Sequence, residues 1–212
     1  MEQFIVKKTL LGSLILLAFA GNVQAAANDK TSGKVTFFGK VVENTCEVKT
    51  DHKNLSVVLN DVGKNSLKDK GNTAMPTPFT ITLTDCTPTG GRNMQAQKVG
   101  VYFYSWKNAD KDNVYTLKNA LTADQANNVN IQLMEANGTT PIAVVGNNTT
   151  DFSFQNTNNG TSAPNVNTKH ISGNATPNNN SLDLHFISQY YATGVATAGK
   201  VQSSVDFQIA YE

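Results

Sequence analysis

The sequence predicts an all-β protein built as a sandwich of short strands, and three observations predict it. The apolar segments are short, alternate with a period of two and are rich in Val, Ile, Thr, Phe and Tyr. They are separated by Gly, Pro, Asn and Asp, as in Lys70-Gly71-Asn72, Pro88 to Arg92 and Asn137-Gly138. No sustained period of three to four residues occurs beyond one candidate helical turn over Leu121 to Ala126. Together these point to two packed sheets rather than to helices.

In chain order the expected strands are Val35 to Val42, Leu55 to Leu59, Phe79 to Thr84, Val99 to Trp106, Val129 to Met134, Ile142 to Val145, Leu182 to Tyr191 and Val201 to Tyr211. Between Gly146 and Asn180 there are 11 Asn in 35 residues and few aliphatic side chains. Long surface loops around one marginal strand at Phe152 to Phe154 are expected there. The Asn-x-Ser/Thr triplets, such as Asn137-Gly138-Thr139, follow from the abundance of Asn and Thr and are not read as glycan sites.

Residues 1–25 read as a secretory signal peptide. Lys7 and Lys8 precede the apolar run Leu10 to Ala20, and Val23-Gln24-Ala25 supplies small residues for cleavage. That run is about half the roughly 20 residues a membrane span needs, so export and release is expected. With Glu2, Lys7 and Lys8 removed, the remaining 187 residues carry 15 basic and 15 acidic side chains. A neutral chain offers no electrostatic footprint for nucleic acid. In an exported protein the two cysteines, Cys46 and Cys86, are expected to form a disulfide, and no further ligands suggest a metal.

Enzyme chemistry finds little support, and no cofactor or metal is expected. The histidines are His52, His170 and His185, and no Gly-x-Ser-x-Gly elbow occurs. His185 alternates with Leu184 and Phe186 and reads as a solvent-facing or hydrogen-bonded strand residue. Trp106 with Tyr102, Phe103 and Tyr104 has the composition of a sugar-stacking platform. The reading preferred for this cluster is sandwich core, with Tyr102 and Tyr104 on one face and Val101 and Phe103 on the other.

The two ends of the exported chain pose the main question. Val201, Val205, Phe207, Ile209 and Tyr211 share one face of a strand that reaches the last residues. Gly33, Val35, Phe37, Gly39 and Val41 share one face of a strand near the start. The simplest arrangement pairs the two within one molecule.

The segment Gly33-x-Val35-x-Phe37-x-Gly39-x-Val41-Val42, followed by Cys46, resembles the start of major subunits of chaperone-usher fimbriae. The end is similar too: Ala198-Gly199 lies fourteen residues from the terminus, alternating apolar positions follow, and Tyr211 is penultimate. Val129-Asn130-Ile131-Gln132-Leu133 and Tyr190-Tyr191-Ala192-Thr193 resemble interior motifs of the same family. Phe38, off-phase where the family has a polar residue, and the Asn-rich insertion depart from the pattern.

The resemblance implies an incomplete immunoglobulin-like β-sandwich completed by donor-strand exchange. Residues 26–42 would be the N-terminal extension and residues 43–212 the pilin domain. Gly33, Val35, Phe37, Gly39 and Val41 would form the donor strand, and the segment bearing Gly199, Val201, Val205, Phe207, Ile209 and Tyr211 would edge the acceptor groove. Implied partners are neighbouring subunits in a homopolymer, a periplasmic chaperone, an outer-membrane usher, and tip adaptor and adhesin subunits. The implied function is a structural subunit of an adhesive pilus on the bacterial surface. The alternative is a minor adaptor or a carbohydrate-binding adhesin of the same system. The disulfide would tie the first folded strand to its neighbour and keep the empty groove in shape.

Overall fold

The computed structural model describes residues 41–43, 46–86, 96–147, 149, 171–176 and 180–211. The signal segment, donor positions Gly33 to Gly39, Phe38, His170 and the strand expected at Phe152 to Phe154 lie outside them.

Among the described residues ten strands form two antiparallel sheets. They are β1 (Glu47–Val48), β2 (Thr73–Thr84), β3 (Val99–Tyr104), β4 (Ala109–Asp110), β5 (Thr116–Lys118), β6 (Val129–Glu135), β7 (Pro141–Ile142), β8 (Ile171–Ala175), β9 (Ser181–Ala192) and β10 (Asp206–Tyr211). One sheet runs in the order β1-β2-β9-β6-β5-β4, with β7 also on β6, and the other runs β10-β3-β8.

Alternation places the core between the sheets. Ile81 and Leu83 of β2 and Leu184 and Phe186 of β9 face Val99, Val101 and Phe103 of β3, all at most 2 % exposed. The Phe103 and Phe186 rings meet edge to face, their centroids 5.1 Å apart. Burying each such side chain contributes about 1.5–3 kcal/mol. A second cluster, Leu67, Ala126, Val129, Ala192 and Ala196, closes the far end.

Several expectations need correction. Leu55 to Leu59 forms no strand and has no ladder partner among the described residues, Val57 and Leu59 being half-covered and Val58 84 % exposed. Of the segment expected at Ile142 to Val145 only Ile142 is strand, of that expected at Val201 to Tyr211 only Asp206–Tyr211, and β3 stops at Tyr104, before Trp106. Leu121 to Ala126 contains no helix. Its backbone serves neighbouring segments instead, Ala126 N–H donating to Lys200 O (2.9 Å).

The Asn-rich region is not all loop, because β8 pairs with β3 and buries Ser172. At Gly173 the backbone takes φ +67, and an added Cβ would lie 2.6 Å from the Phe186 ring. A strand built around a glycine bulge, with Ser and Asn flanking it, has too few apolar residues to announce itself by alternation.

Cys46 and Cys86 form the expected disulfide across a sequence separation of 40. Cys46 adjoins β1 and Cys86 follows β2, so the bridge clamps a ladder of only two residue pairs, Glu47 with Thr84 and Val48 with Leu83. Closing a loop of this length stabilises the fold by about 4 kcal/mol in the chain-entropy account. The protein with Cys46→Ala and Cys86→Ala is therefore expected to lose about 2–4 kcal/mol in urea unfolding. An unchanged midpoint would show that the β1 clamp carries no such constraint.

Candidate functional site

The candidate site is a groove between the two sheets along β10. That strand pairs with β3 from Asp206 opposite Tyr104 to Tyr211 opposite Val99. Among the described residues no strand pairs with its other edge. Phe207, Ile209 and Tyr211 point inward with Val205 and pack against the core, yet all four are only half-buried. A covered sandwich would bury them fully, as it does Val101 and Phe103 on the adjoining strand.

The hollow below this edge has a volume of about 820 Å³. Its floor is core: Phe79, Ile81, Phe103, Ile131 and Leu133. One lip is Val205, Phe207 and Ile209; the other is the extended chain at Asn54 to Val57 and Leu59, with Cys46 and Val48. A second hollow of about 1120 Å³ adjoins it, sharing Val57, Leu59, Ile131 and Ser203, and is walled by Val62, Gly199 and Val201. The result is a trench with apolar side chains below and an open strand edge above, the geometry that accepts an added strand.

Two devices hold the trench in shape. The first is a switch between sheets. Residues 199–203 bond to the loop beyond β5, with Ala120 N–H donating to Gln202 O (2.8 Å) and Lys200 N–H to Asp124 O (2.7 Å). The chain then crosses to β3 as β10. Gly199 permits this approach, because a Cβ there would collide with the backbone of Gln125 and Ala126. Gly199 and Val201 thus wall the second hollow but lie outside the strand they were expected to share with Val205 to Tyr211.

The second device is Tyr211, whose hydroxyl oxygen accepts the Cys46 N–H at 2.7 Å. This bond pins the end of β10 to the disulfide. Burial pushes the Tyr211 phenol above its ordinary value near 10, and the bond from Cys46 draws it partly back.

Of the expected donor positions only Val41 is described; it is 91 % exposed. His185 is exposed and its Nδ1 lies 3.0 Å from Thr80 Oγ1, a solvent-facing, hydrogen-bonded position. The sandwich-core reading of the aromatic cluster holds for Phe103 and fails for its neighbours. Tyr102 and Tyr104 lie on the outer face and Trp106 is 55 % exposed. Sequence reasoning missed the lip at residues 54–59. Its signal was the Val57/Leu59 alternation, which gives facing but not pairing.

A model of the fimbrial protein family matches residues 35–212. The chain belongs to that family. This fimbrial subunit is 70 % identical to a major fimbrial subunit of Haemophilus influenzae, over 98 % of this chain and 100 % of the relative. It is 37 % identical to a minor fimbrial subunit of the same species, over 95 % of this chain and 82 % of the relative. A chain from a chaperone-usher pilus structure superposes with a TM-score of 0.56 at 17 % identity, covering 89 % of this chain and 100 % of that one, a likeness of fold. The fimbrial subunit is thus an immunoglobulin-like structural component of surface pili and not an enzyme.

Gly199→Ala in the fimbrial subunit should cost about 1–3 kcal/mol by overpacking, read as a lower urea midpoint. Tyr211 contributes stability that is complete below pH 10 and is lost as pH rises through its higher folded value. Wild-type melting temperature should therefore fall above pH 10. Tyr211→Phe should melt lower at neutral pH, by about 0.5–1.5 kcal/mol for the lost bond, and fall less steeply in alkali. Parallel alkaline curves for the two proteins would refute the Tyr211 role.

Proposed function

We propose that the trench receives the segment Gly33 to Val41 of a neighbouring copy, and that repetition of this contact builds the pilus shaft. The observation that carries the reading is the open edge of β10 above half-covered inward side chains. An incoming strand would pair with that edge and set Val35, Phe37 and Val41 on the exposed core. The exposure of Val41 in its own molecule supports this, since an apolar side chain in water gains by finding such a place. Gly39 would cross the shallowest part of the trench, where no side chain fits.

Burying Val35, Phe37 and Val41 supplies about 5–9 kcal/mol, and each new backbone hydrogen bond about 0.5–1.5 kcal/mol. Ordering the arm takes back part of this. The joint is tight without a covalent bond. An arm and a groove at different places on one molecule make a heterologous contact, which propagates as an open filament.

On the same reading residues 1–25 are removed on export, residues 26–42 form the arm and residues 43–212 the folded domain. A periplasmic chaperone lends a strand to β10 until an outer-membrane usher exchanges it for the arm of the next subunit. Tip adaptor and adhesin subunits occupy the end of the fibre. The 70 % identity to a major subunit, against 37 % to a minor one, favours the shaft over the adaptor role.

Gly39→Val should block insertion by steric clash. Subunits carrying it are expected to give no denaturant-resistant ladder on unheated gels and no filaments by electron microscopy, while still binding chaperone. Filaments of normal length from this variant would overturn the register.

A further inference from the structure

The outer face of β3 and the turn that follows it carry three aromatic rings in a row, Tyr102, Tyr104 and Trp106, that the sandwich core does not use. The Tyr102 and Tyr104 centroids are 5.7 Å apart and the Tyr104 and Trp106 centroids 5.8 Å. The rings form a stepped strip ending at the exposed Trp106. Its position is steadied by Asn147, whose Nδ2 donates to Trp106 O at 2.9 Å.

Across the β3–β10 pair, Gln208 stands opposite Tyr102 and Asp206 opposite Tyr104. Partners in register present their side chains to the same face, and both polar residues are exposed. Neither side chain makes a hydrogen bond or ion pair among the described residues. A dry protein surface laid over this strip would bury the Asp206 carboxylate without a cation, which is costly. A pyranose meets both demands. Its C–H face lies on an aromatic ring, while its hydroxyls donate to the carboxylate and exchange hydrogen bonds with the amide. The step between rings is comparable to that between successive sugars of a glycan.

We propose that Tyr102, Tyr104 and Trp106, with Asp206 and Gln208, form a carbohydrate-binding strip on the outer face of the sandwich. Tyr102, Trp106 and Gln208 stand apart from the groove, whereas Tyr104 and Asp206 also reach its rim beside the inward Phe103 and Phe207 of the same two strands. Each copy in a pilus would repeat the strip, and repetition converts weak single-site binding into avidity.

Trp106 is the only tryptophan of the 212-residue chain, so intrinsic fluorescence reports on this strip whatever the state of assembly. Titration of the purified protein with lactose, maltotriose and chitotriose should give a saturable emission change with at least one of them. By calorimetry, Trp106→Ala should weaken that sugar by about tenfold or more, Trp106→Phe should retain most of the affinity, and Asp206→Asn should weaken it severalfold, all with unchanged melting temperature. No saturable change with any of the three sugars, or undiminished affinity in Trp106→Ala, would overturn the proposal. So would shielding of Trp106 from acrylamide in filaments but not in free subunits, which would assign the strip to a contact between copies.

Discussion

The half-covered inner face of β10 is the constraint around which the rest of the molecule is arranged. A sandwich gains stability by enclosing alternate side chains of each strand between two sheets. Here Phe207, Ile209 and Tyr211 are enclosed on the β3 side and uncovered on the other. Such an edge invites aggregation. The disulfide at Cys46, the hydrogen bond from Cys46 to Tyr211 and the close passage at Gly199 each fix one boundary of the trench. A trench held in shape by its own walls has the geometry that accepts an added strand, which is what the proposed joint between subunits requires.

The period of two in a strand lets one pair of strands serve two surfaces. The inward residues of β3 and β10 join the core and the trench, and the outward residues form the aromatic and polar strip.

Much of the fold was legible in the sequence where alternation was strong. Phe79 to Thr84, Val129 to Met134 and Leu182 to Tyr191 all lie within observed strands, because each places large side chains on one face over several residues. The short strands β1, β4 and β5 were not legible. Two or three residues are too few to establish a period; β1 is laddered to the long β2, β5 to β6, and the edge strand β4 to β5. β8 escaped for a different reason: it is held by pairing with β3 and by a glycine fitted to Phe186, not by its own apolar content. At the candidate site the alternating positions of β10 were visible, whereas the second lip at residues 54–59 was not, since a strand-like pattern says which side chains share a face and nothing about what lies beside the backbone.

By itself, the sequence determined the all-β class, the cysteine pair and the apolar face of the closing strand, because these depend on residue type and local spacing. Only the tertiary structure decided that Lys200 and Gln202 bond to the loop beyond β5 while Phe207 to Tyr211 pair with β3. It also decided that Tyr102, Tyr104 and Trp106 face outward and that the edge of β10 stands open among the described residues. Those are matters of which segments meet across long separations in the chain, and such meetings are set by the packing of the whole molecule.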